Sequence, residues 1–144
     1  MSRGVTVKRL SRAALATLEQ RAAKVRQHAY APYSEFRVGA AVRMGGRTFV
    51  AANVENASYG LTVCAERNAV AAAVAAGATR LEAIAIASDA SPPSAPCGAC
   101  RQVLMEFAAN PANIAVIAMN PAGERREFTL AELLPADFSA EDLS

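Results

Sequence analysis

Two short stretches contain all three cysteines of this chain: Cys64-Ala65-Glu66-Arg67 and, about thirty residues later, Pro96-Cys97-Gly98-Ala99-Cys100-Arg101-Gln102. Three thiolates can occupy three corners of a tetrahedral Zn²⁺ site and leave the fourth corner open for water. Glu66 follows the first cysteine by two positions and would bring a carboxylate, the usual proton carrier, to that water. The two stretches therefore predict a site for one Zn²⁺ per chain, with Glu66 as its acid–base group.

The expected local structure would bring the cysteines together. Cys97 and Cys100 are three positions apart, so one helical turn places both sulfurs on one face. Unpaired N–H groups and the positive end of the helix dipole favour thiolates in the first turn of a helix. Side chains two positions apart on a helix diverge by about 200°. Cys64 and Glu66 can therefore face one site only if Cys64 lies at a loop–helix junction.

The thiolates create an excess of negative charge, because three of them more than neutralise one Zn²⁺ and weaken it as a Lewis acid. Arg67 and Arg101 each follow a motif directly. Guanidinium groups that donate to the sulfurs would offset this charge. We therefore expect an arginine, Arg67 in the first place, beside the metal ligands.

Two alternatives give the cysteines no catalytic role. In the first, the lone histidine, His28, is a fourth ligand that closes a purely structural zinc site. A chain of 144 residues can build a core without such a staple. In the second, Cys97 and Cys100 form a redox pair without metal, which leaves Cys64 and Glu66 unexplained. The sequence favours catalytic zinc over both alternatives.

The composition is that of a folded domain: 53% of the residues are hydrophobic, 19% are charged and the net charge is +2. We expect a single domain over residues 1–144, no nucleic-acid partner and no membrane association, because the chain has no basic run and no long apolar stretch. The N-terminal stretch lacks the pattern of a signal peptide. An odd number of cysteines with ligand-like spacing suits a reducing compartment, and the prediction is a cytoplasmic protein.

Periodicity and turn signals predict the order α-β-β-α-β-α-β, followed by a short strand and a short helix. The predicted helices cover residues 10–29, 64–76, 97–109 and 129–134. The predicted strands cover residues 36–42, 48–54, 81–87 and 114–119, with an edge strand at 127–128. Gly45-Gly46 predicts a hairpin between the first two strands. Helices between buried strands indicate a layered α/β sheet.

Three further stretches carry a resemblance to a known family. They are Ala31-Pro32-Tyr33-Ser34 running into Phe36 and Val38-Gly39-Ala40-Ala41, then Asn53-Val54-Glu55-Asn56-Ala57-Ser58-Tyr59, and finally Leu133-Leu134-Pro135 with Phe138. Together with the cysteine motifs, and in this order, they resemble the small homotetrameric cytidine deaminases over nearly the whole chain. The resemblance implies a three-layer α/β/α sandwich on a five-strand mixed sheet.

The same resemblance implies a role for each matching residue. Cys64, Cys97 and Cys100 would hold zinc, Glu66 would shuttle protons, and Arg67 would compensate the third thiolate. Asn53 and Glu55 would bind the ribose hydroxyls and Phe36 would stack on the pyrimidine. Tyr59 and Phe138 would reach the site of a neighbouring subunit in a homotetramer.

The implied function is hydrolytic deamination of cytidine and 2′-deoxycytidine to uridine and 2′-deoxyuridine in pyrimidine salvage, with a small pyrimidine nucleoside as the partner. Three alternatives are a deaminase of a cytosine-containing nucleoside antibiotic, an enzyme that edits nucleic acids and a non-catalytic zinc module. The Asn53–Glu55 pair speaks against the first, and the absence of basic stretches and Trp speaks against the second. Glu66→Gln distinguishes the third, because a scaffold should tolerate this exchange.

Overall fold

The computed structural model describes residues 8–144, which build a five-stranded sheet with helices on both faces. The helices are α1 (Arg12–Val25), α2 (Ala65–Ala75), α3 (Gly98–Glu106) and α4 (Leu130–Leu133). The strands are β1 (Val38–Met44), β2 (Arg47–Ala52), β3 (Leu81–Ser88), β4 (Ala115–Met119) and β5 (Arg125–Thr129). The predicted order of elements is confirmed. No helix in this part of the chain is long and apolar enough to cross a bilayer.

The sheet is mixed, with the strand order β2-β1-β3-β4-β5. Only β3 and β4 are parallel, and the other neighbouring strands are antiparallel. The predicted hairpin joins β1 to β2 through Gly45 and Gly46, whose φ angles of 56° and 76° suit glycine. Because β3 and β4 run in parallel, the loops that follow them leave the same edge of the sheet. The loop after β3 leads to Cys97.

Two apolar clusters, one on each face of the sheet, make three layers. Leu15, Leu18 and Ala22 of α1 pack on one face, against small residues of β1, β3 and β4. On the other face α2, α3 and α4 contribute to the larger cluster, including Ala69, Leu104 and Leu130. The predicted sandwich with a five-strand mixed sheet is confirmed.

Gly39 of β1 allows the close approach of α1 to the sheet. A Cβ atom at this position would lie 2.2 Å from the Ala22 carbonyl oxygen and 2.6 Å from the Arg26 amide nitrogen. Real side chains do not tolerate such distances, so only glycine fits here without displacing the helix. The close packing of α1 on β1 therefore depends on the absence of a side chain at Gly39.

Several boundaries differ from the predicted ones. The first helix ends at Val25 and continues as a 3₁₀ turn, Arg26–His28, instead of reaching residue 29. The first strand begins at Val38 rather than 36, because the Asn53 side chain bonds the Phe36 carbonyl and the Val38 N–H. The third helix ends at Glu106, and the next carbonyl, that of Phe107, accepts from Leu81 at the start of β3.

Candidate active site

The sulfur atoms of Cys64, Cys97 and Cys100 lie within 4.8 Å of one another and form a group that could hold a metal ion. Cys100 is buried, Cys64 is half-buried and Cys97 is exposed. A tetrahedral zinc ion with Zn–S bonds of about 2.3 Å holds its sulfur ligands about 3.8 Å apart. The spacing and the all-sulfur donor set therefore fit zinc, and solvent can reach the site on the side of Cys97.

Two helix N-termini meet at the sulfur group. Cys64 is the N-cap residue of α2 and Cys97 is the N-cap residue of α3, both with extended backbone, while Cys100 lies in the first turn of α3. The expected position of Cys64 at a loop–helix junction is confirmed. The positive ends of both helix dipoles favour thiolates here.

The fourth corner of the site has no protein ligand in residues 8–144. No further His, Cys, Asp or Glu side chain brings a ligand atom close enough to join the three sulfurs. His28 lies exposed in the 3₁₀ turn after α1, so the alternative in which it closes a structural zinc site loses its ligand. An open fourth position is typical of catalytic zinc.

Arg67 is hydrogen-bonded to one of the sulfurs, donating from Nη2 to Sγ of Cys64 at 3.7 Å. Hydrogen bonds from the Cys100 thiol and from Arg67 lower the pKa of Cys64 to about 5. The pKa of Cys100 is raised, because its S–H is the donor to the Cys64 sulfur and because burial disfavours a second thiolate. Cys64 is therefore more readily ionised than Cys100.

Arg101 directs its donors away from the sulfurs, contrary to the expectation that it donates to them. Its Nε donates to the Pro96 carbonyl at 2.6 Å and its Nη1 donates to the Leu133 carbonyl at 2.9 Å. The preceding loop contains three prolines, which cannot donate from the backbone. The side chain of Arg101 therefore donates to main-chain carbonyls rather than to thiolates.

Glu66 lies in the first turn of α2 and only 5% of it is exposed. Burial raises the pKa of the Glu66 carboxyl, and the neighbouring Cys64 thiolate raises it further. Hydrogen bonding to its own N–H and to the Cys100 thiol acts in the opposite direction. A carboxyl with a raised pKa retains a proton at a higher pH than an exposed glutamate, which suits a group that accepts and returns a proton.

Asn53 lies directly after β2, with 7% of its surface exposed. Its Nδ2 donates to the Phe36 carbonyl at 2.9 Å, and its Oδ1 accepts from the Val38 N–H at 2.9 Å. The side-chain amide thus bridges the backbone on both sides of Arg37. Asn53 fixes the segment that carries Phe36, a function that the sequence did not indicate.

Glu55 binds the same segment at its other end. Its Oε1 accepts from the Tyr33 and Ser34 N–H groups at 3.0 and 3.1 Å, and its Oε2 accepts from the Ser34 hydroxyl at 2.5 Å. The Ser34 hydroxyl, together with these N–H groups, lowers the pKa of Glu55. Glu55 is therefore ionised at neutral pH.

A cleft of about 260 Å³ opens beside Glu55. Its lining residues are Tyr33, Ser34, Glu55, Asn56, Tyr59 and Thr62. The rings of Tyr33 and Tyr59 meet edge to face, with centroids 6.1 Å apart. Val54 and Val63 are paired by two hydrogen bonds of 3.0 Å. Glu55 follows Val54 and Cys64 follows Val63, so both residues lie next to this bridge. The Val54–Val63 bridge therefore helps to position both the cleft and Cys64.

The remaining predicted residues lie outside this lining. Phe36 is 38% exposed on the segment that Asn53 and Glu55 hold. Phe138 is 57% exposed, and its carbonyl accepts a hydrogen bond of 2.8 Å from Gln102. Glu55 and Tyr59 thus meet at the cleft, whereas neither phenylalanine ring lines it.

The chain matches the family model for the cytidine and deoxycytidylate deaminase zinc-binding region over residues 13–116. The chain belongs to this deaminase family. A cytidine deaminase of Halalkalibacterium halodurans is 48% identical over 128 residues, which are 88% of this chain and 96% of that protein. A cytidine deaminase of Mycobacterium tuberculosis is 43% identical over 116 residues, or 80% of this chain and 82% of that protein.

Solved structures of the deaminase family agree with this fold. A cytidine deaminase from Burkholderia pseudomallei superposes with a TM-score of 0.80 and 44% identity, covering 90% of this chain and all of that one. The cytidine deaminase of Bacillus anthracis shares only 16% identity at a TM-score of 0.64 and shows the fold alone. Zinc is the family's metal, and the grouped cysteines fit it.

Sequence reasoning missed three side chains around this deaminase site. Asn68 of α2 donates from Nδ2 to the Ala52 carbonyl at 3.0 Å and ties α2 to the end of β2. Asp89 accepts from the Arg37 N–H at 3.0 Å and is paired with Arg26. Ser34 belongs to the stretch Ala31-Pro32-Tyr33-Ser34, which gives no sign that the Ser34 hydroxyl donates to Glu55. No local pattern marks these contacts, because most join residues far apart in the chain.

Proposed function

We propose that this protein catalyses the hydrolytic deamination of cytidine and 2′-deoxycytidine, giving uridine or 2′-deoxyuridine and ammonia. The observation that carries the proposal is the group of three sulfurs with an open fourth position, with the buried carboxyl of Glu66 two residues from the first sulfur. A structural zinc site would require neither feature. The names of the relatives at 43–48% identity agree with this reaction.

Glu66 carries the proton in this proposal. Water adds to C4 of the base with formation of a C–O bond, and the C4–N bond then breaks to release ammonia. The carboxylate of Glu66 takes one proton from the water and passes it to the ring nitrogen N3, then takes the remaining proton from the new C4 hydroxyl and passes it to the amine that leaves as ammonia. Its buried position favours this exchange, because burial raises the pKa of the carboxyl toward the working pH.

Zinc held by Cys64, Cys97 and Cys100 supplies the Lewis acidity that makes water nucleophilic at neutral pH. Arg67 counters the excess negative charge of the thiolates through its hydrogen bond to Cys64. This donation withdraws electron density from one sulfur and leaves the metal a stronger acid.

The nucleoside is assigned to Glu55 in the cleft and to two residues outside the cleft lining, Asn53 and Phe36. We assign the ribose hydroxyls to Glu55, whose carboxylate lines the cleft, and to Asn53, and we assign stacking on the pyrimidine to Phe36. Asn53 and Glu55 already hold the segment that carries Phe36. A ribose bound to both residues would therefore be coupled to the position of the stacking ring.

A free nucleoside fits the cleft better than a nucleotide does. The cleft contains the ionised Glu55, and neither Lys nor Arg is among its lining residues. A phosphate group would be repelled by this carboxylate and would find no cation there. Deoxycytidylate is therefore expected to be a much poorer substrate than deoxycytidine. A cytosine-containing nucleoside antibiotic is the second choice as substrate, because an intact Asn53–Glu55 pair suits the ribose of a plain nucleoside better.

We infer a homotetramer in which neighbouring subunits complete each site. Tyr59 and Phe138 are 76% and 57% exposed, which is high for large aromatic side chains. Exposed aromatic groups of this kind are typical of subunit interfaces. Their proposed role is to contact the nucleoside bound to an adjacent chain. Light scattering on purified protein tests this assembly, since a monomeric mass would contradict it.

We further infer one domain over residues 1–144, a role in pyrimidine salvage and a cytoplasmic location. Both apolar clusters share the same sheet, which supports a single folding unit. The three cysteines are free thiols, and a reducing compartment keeps such thiols available for zinc.

A panel of substrates followed by ultraviolet absorbance tests the assignment. Zinc-loaded protein is mixed in turn with cytidine, deoxycytidine, deoxycytidylate, a cytosine-nucleoside antibiotic and single-stranded DNA. The proposal expects consumption of the first two alone at appreciable rates. Consumption of the antibiotic or of DNA in place of cytidine would overturn the pocket assignment and preserve the chemistry. Consumption of none, with one zinc bound per chain, would favour a structural zinc site.

A further inference from the structure

Of the three grouped cysteines, Cys97 is the most exposed to solvent. It is exposed, whereas Cys100 is fully buried. It caps α3 without a side-chain hydrogen bond to the helix. It follows the stretch Ser91-Pro92-Pro93-Ser94-Ala95-Pro96, whose prolines have no N–H to donate. Burial therefore does little to fix the position of this thiol.

Arg101 contacts the backbone on both sides of Cys97. Its side chain donates from Nε to the Pro96 carbonyl at 2.6 Å, which belongs to the peptide group before the Cys97 Cα. Its main-chain N–H donates to the Cys97 carbonyl at 3.0 Å; this is the first helical hydrogen bond of α3, and it fixes the peptide group after the Cys97 Cα whatever side chain stands at position 101. The helix thus fixes the peptide group after Cys97, and the side chain of Arg101 fixes the one before it.

The other end of the Arg101 guanidinium is anchored in the core. Nη1 donates to the carbonyl of Leu133, the last residue of α4. That helix is fixed by Leu130, which is fully buried and whose N–H donates to the Ile114 carbonyl at 3.0 Å. Arg101 therefore connects an exposed ligand to a rigid part of the fold. Its planar, forked group can bridge the two carbonyls, which the single ammonium of a lysine cannot reproduce.

We propose that Arg101 is a positioning residue for zinc: it holds Cys97 in the ligand geometry before the metal binds and so slows the loss of zinc. It acts through the backbone and not through charge on the thiolates, which is the role of Arg67. Residues that orient metal ligands typically change metal affinity by about 10- to 100-fold when they are removed.

The test measures zinc release directly, independently of deamination. Zinc-loaded wild type, Arg101→Met and Arg101→Lys are mixed with an excess of a colorimetric chelator, and the rate of metal transfer is recorded. Arg47→Met is the matched control, because Arg47 also donates to a main-chain carbonyl, that of Ala76, at the end of α2 away from the cysteines. We expect both Arg101 variants to release zinc at least about 10-fold faster, and the control to match wild type.

Two results would overturn the proposal. Release from Arg101→Met at the wild-type rate would show that Cys97 needs no such support. Release from Arg101→Lys at the wild-type rate, with fast release from Arg101→Met, would show that charge is what matters.

Thermal unfolding with and without zinc separates positioning from general stability. A positioning role reduces the increase in Tm that zinc provides, whereas a purely structural role lowers both Tm values equally and contradicts the proposal. This comparison remains informative for any variant that folds less stably.

Discussion

Nη2 of Arg67 lies 3.7 Å from Sγ of Cys64, one turn apart on α2. The guanidinium and the thiolate stabilise each other, since hydrogen bonding to Cys64 raises the pKa of Arg67. Arg67 is thus a fixed positive charge beside a site with more negative ligands than one Zn²⁺ can neutralise.

Replacing Arg67 by Gln should impair the zinc site. The neutral amide cannot offset the thiolate charge, so we expect zinc affinity or turnover to fall by about 10- to 100-fold. Chelator competition gives the affinity and a cytidine assay gives kcat. Arg21→Gln, on the exposed face of α1, is the control. Unchanged zinc content and unchanged rate in Arg67→Gln would refute the proposed role.

Replacing Asn53 by Asp should weaken nucleoside binding. The new carboxylate would face the Phe36 carbonyl, which now accepts from Nδ2 of Asn53. Loss of that buried hydrogen bond costs about 1–3 kcal/mol, and we expect KM to rise about 10-fold as the Phe36 segment shifts. Asn110→Asp, at the start of the 3₁₀ turn before β4, is the control. An unaltered KM in Asn53→Asp would mean that this bridge does not position the substrate site.

Replacing Gly39 by Ala should destabilise the fold. The new methyl group would collide with the backbone of α1 at Ala22 and Arg26. We expect the free energy of unfolding to drop by about 1–3 kcal/mol, as in overpacked cores. Gly60→Ala adds a methyl group that meets nothing within 4 Å, so it should leave stability nearly unchanged. Urea unfolding compares the two, and equal stabilities would contradict the close packing of α1 on β1.

The contribution of Asp89 to stability should disappear in acid. Its pKa is lowered, first by the Arg37 N–H and also by Arg26, so the contribution is present above the ordinary aspartate pKa of about 4. It is lost as the pH falls through the lower pKa of the folded state. Asp89→Asn should therefore be less stable than wild type at pH 7, by about 1 kcal/mol or less.

Thermal unfolding of the metal-free proteins at pH 7 and pH 3 tests this direction of the pH effect. Zinc binding is itself pH-dependent, and removing the metal eliminates that contribution. The difference between wild type and Asp89→Asn should shrink at pH 3. A difference that stays constant or grows at pH 3 would contradict the stabilising role of the Asp89 carboxylate.

Local patterns in the sequence were sufficient to predict the elements and the grouping of the three cysteines. The hairpin at Gly45-Gly46, the helix starting after Cys64 and the C-x-x-C pair depend on short-range spacing, and the structure confirms each of them. Such features need no knowledge of the rest of the fold.

Contacts between distant loops could not be predicted in this way. Asp89 meets the Arg37 N–H across 52 positions, and Arg101 reaches Leu133 across 32. Both depend on the register of the sheet and on where its loops emerge, which no short stretch encodes. The adjacency of Arg101 to Cys100 instead suggested a contact with sulfur, whereas the carbonyls of Pro96 and Leu133 are its partners.

The most direct test of the central claim compares cytidine deamination by wild type and Glu66→Gln, with bound zinc measured in the same samples. We expect one zinc per chain in both proteins and a loss of kcat of at least about 100-fold in the variant, because the amide cannot carry the proton. Deamination at the wild-type rate by zinc-loaded Glu66→Gln would contradict the assignment of Glu66 as the catalytic acid–base group.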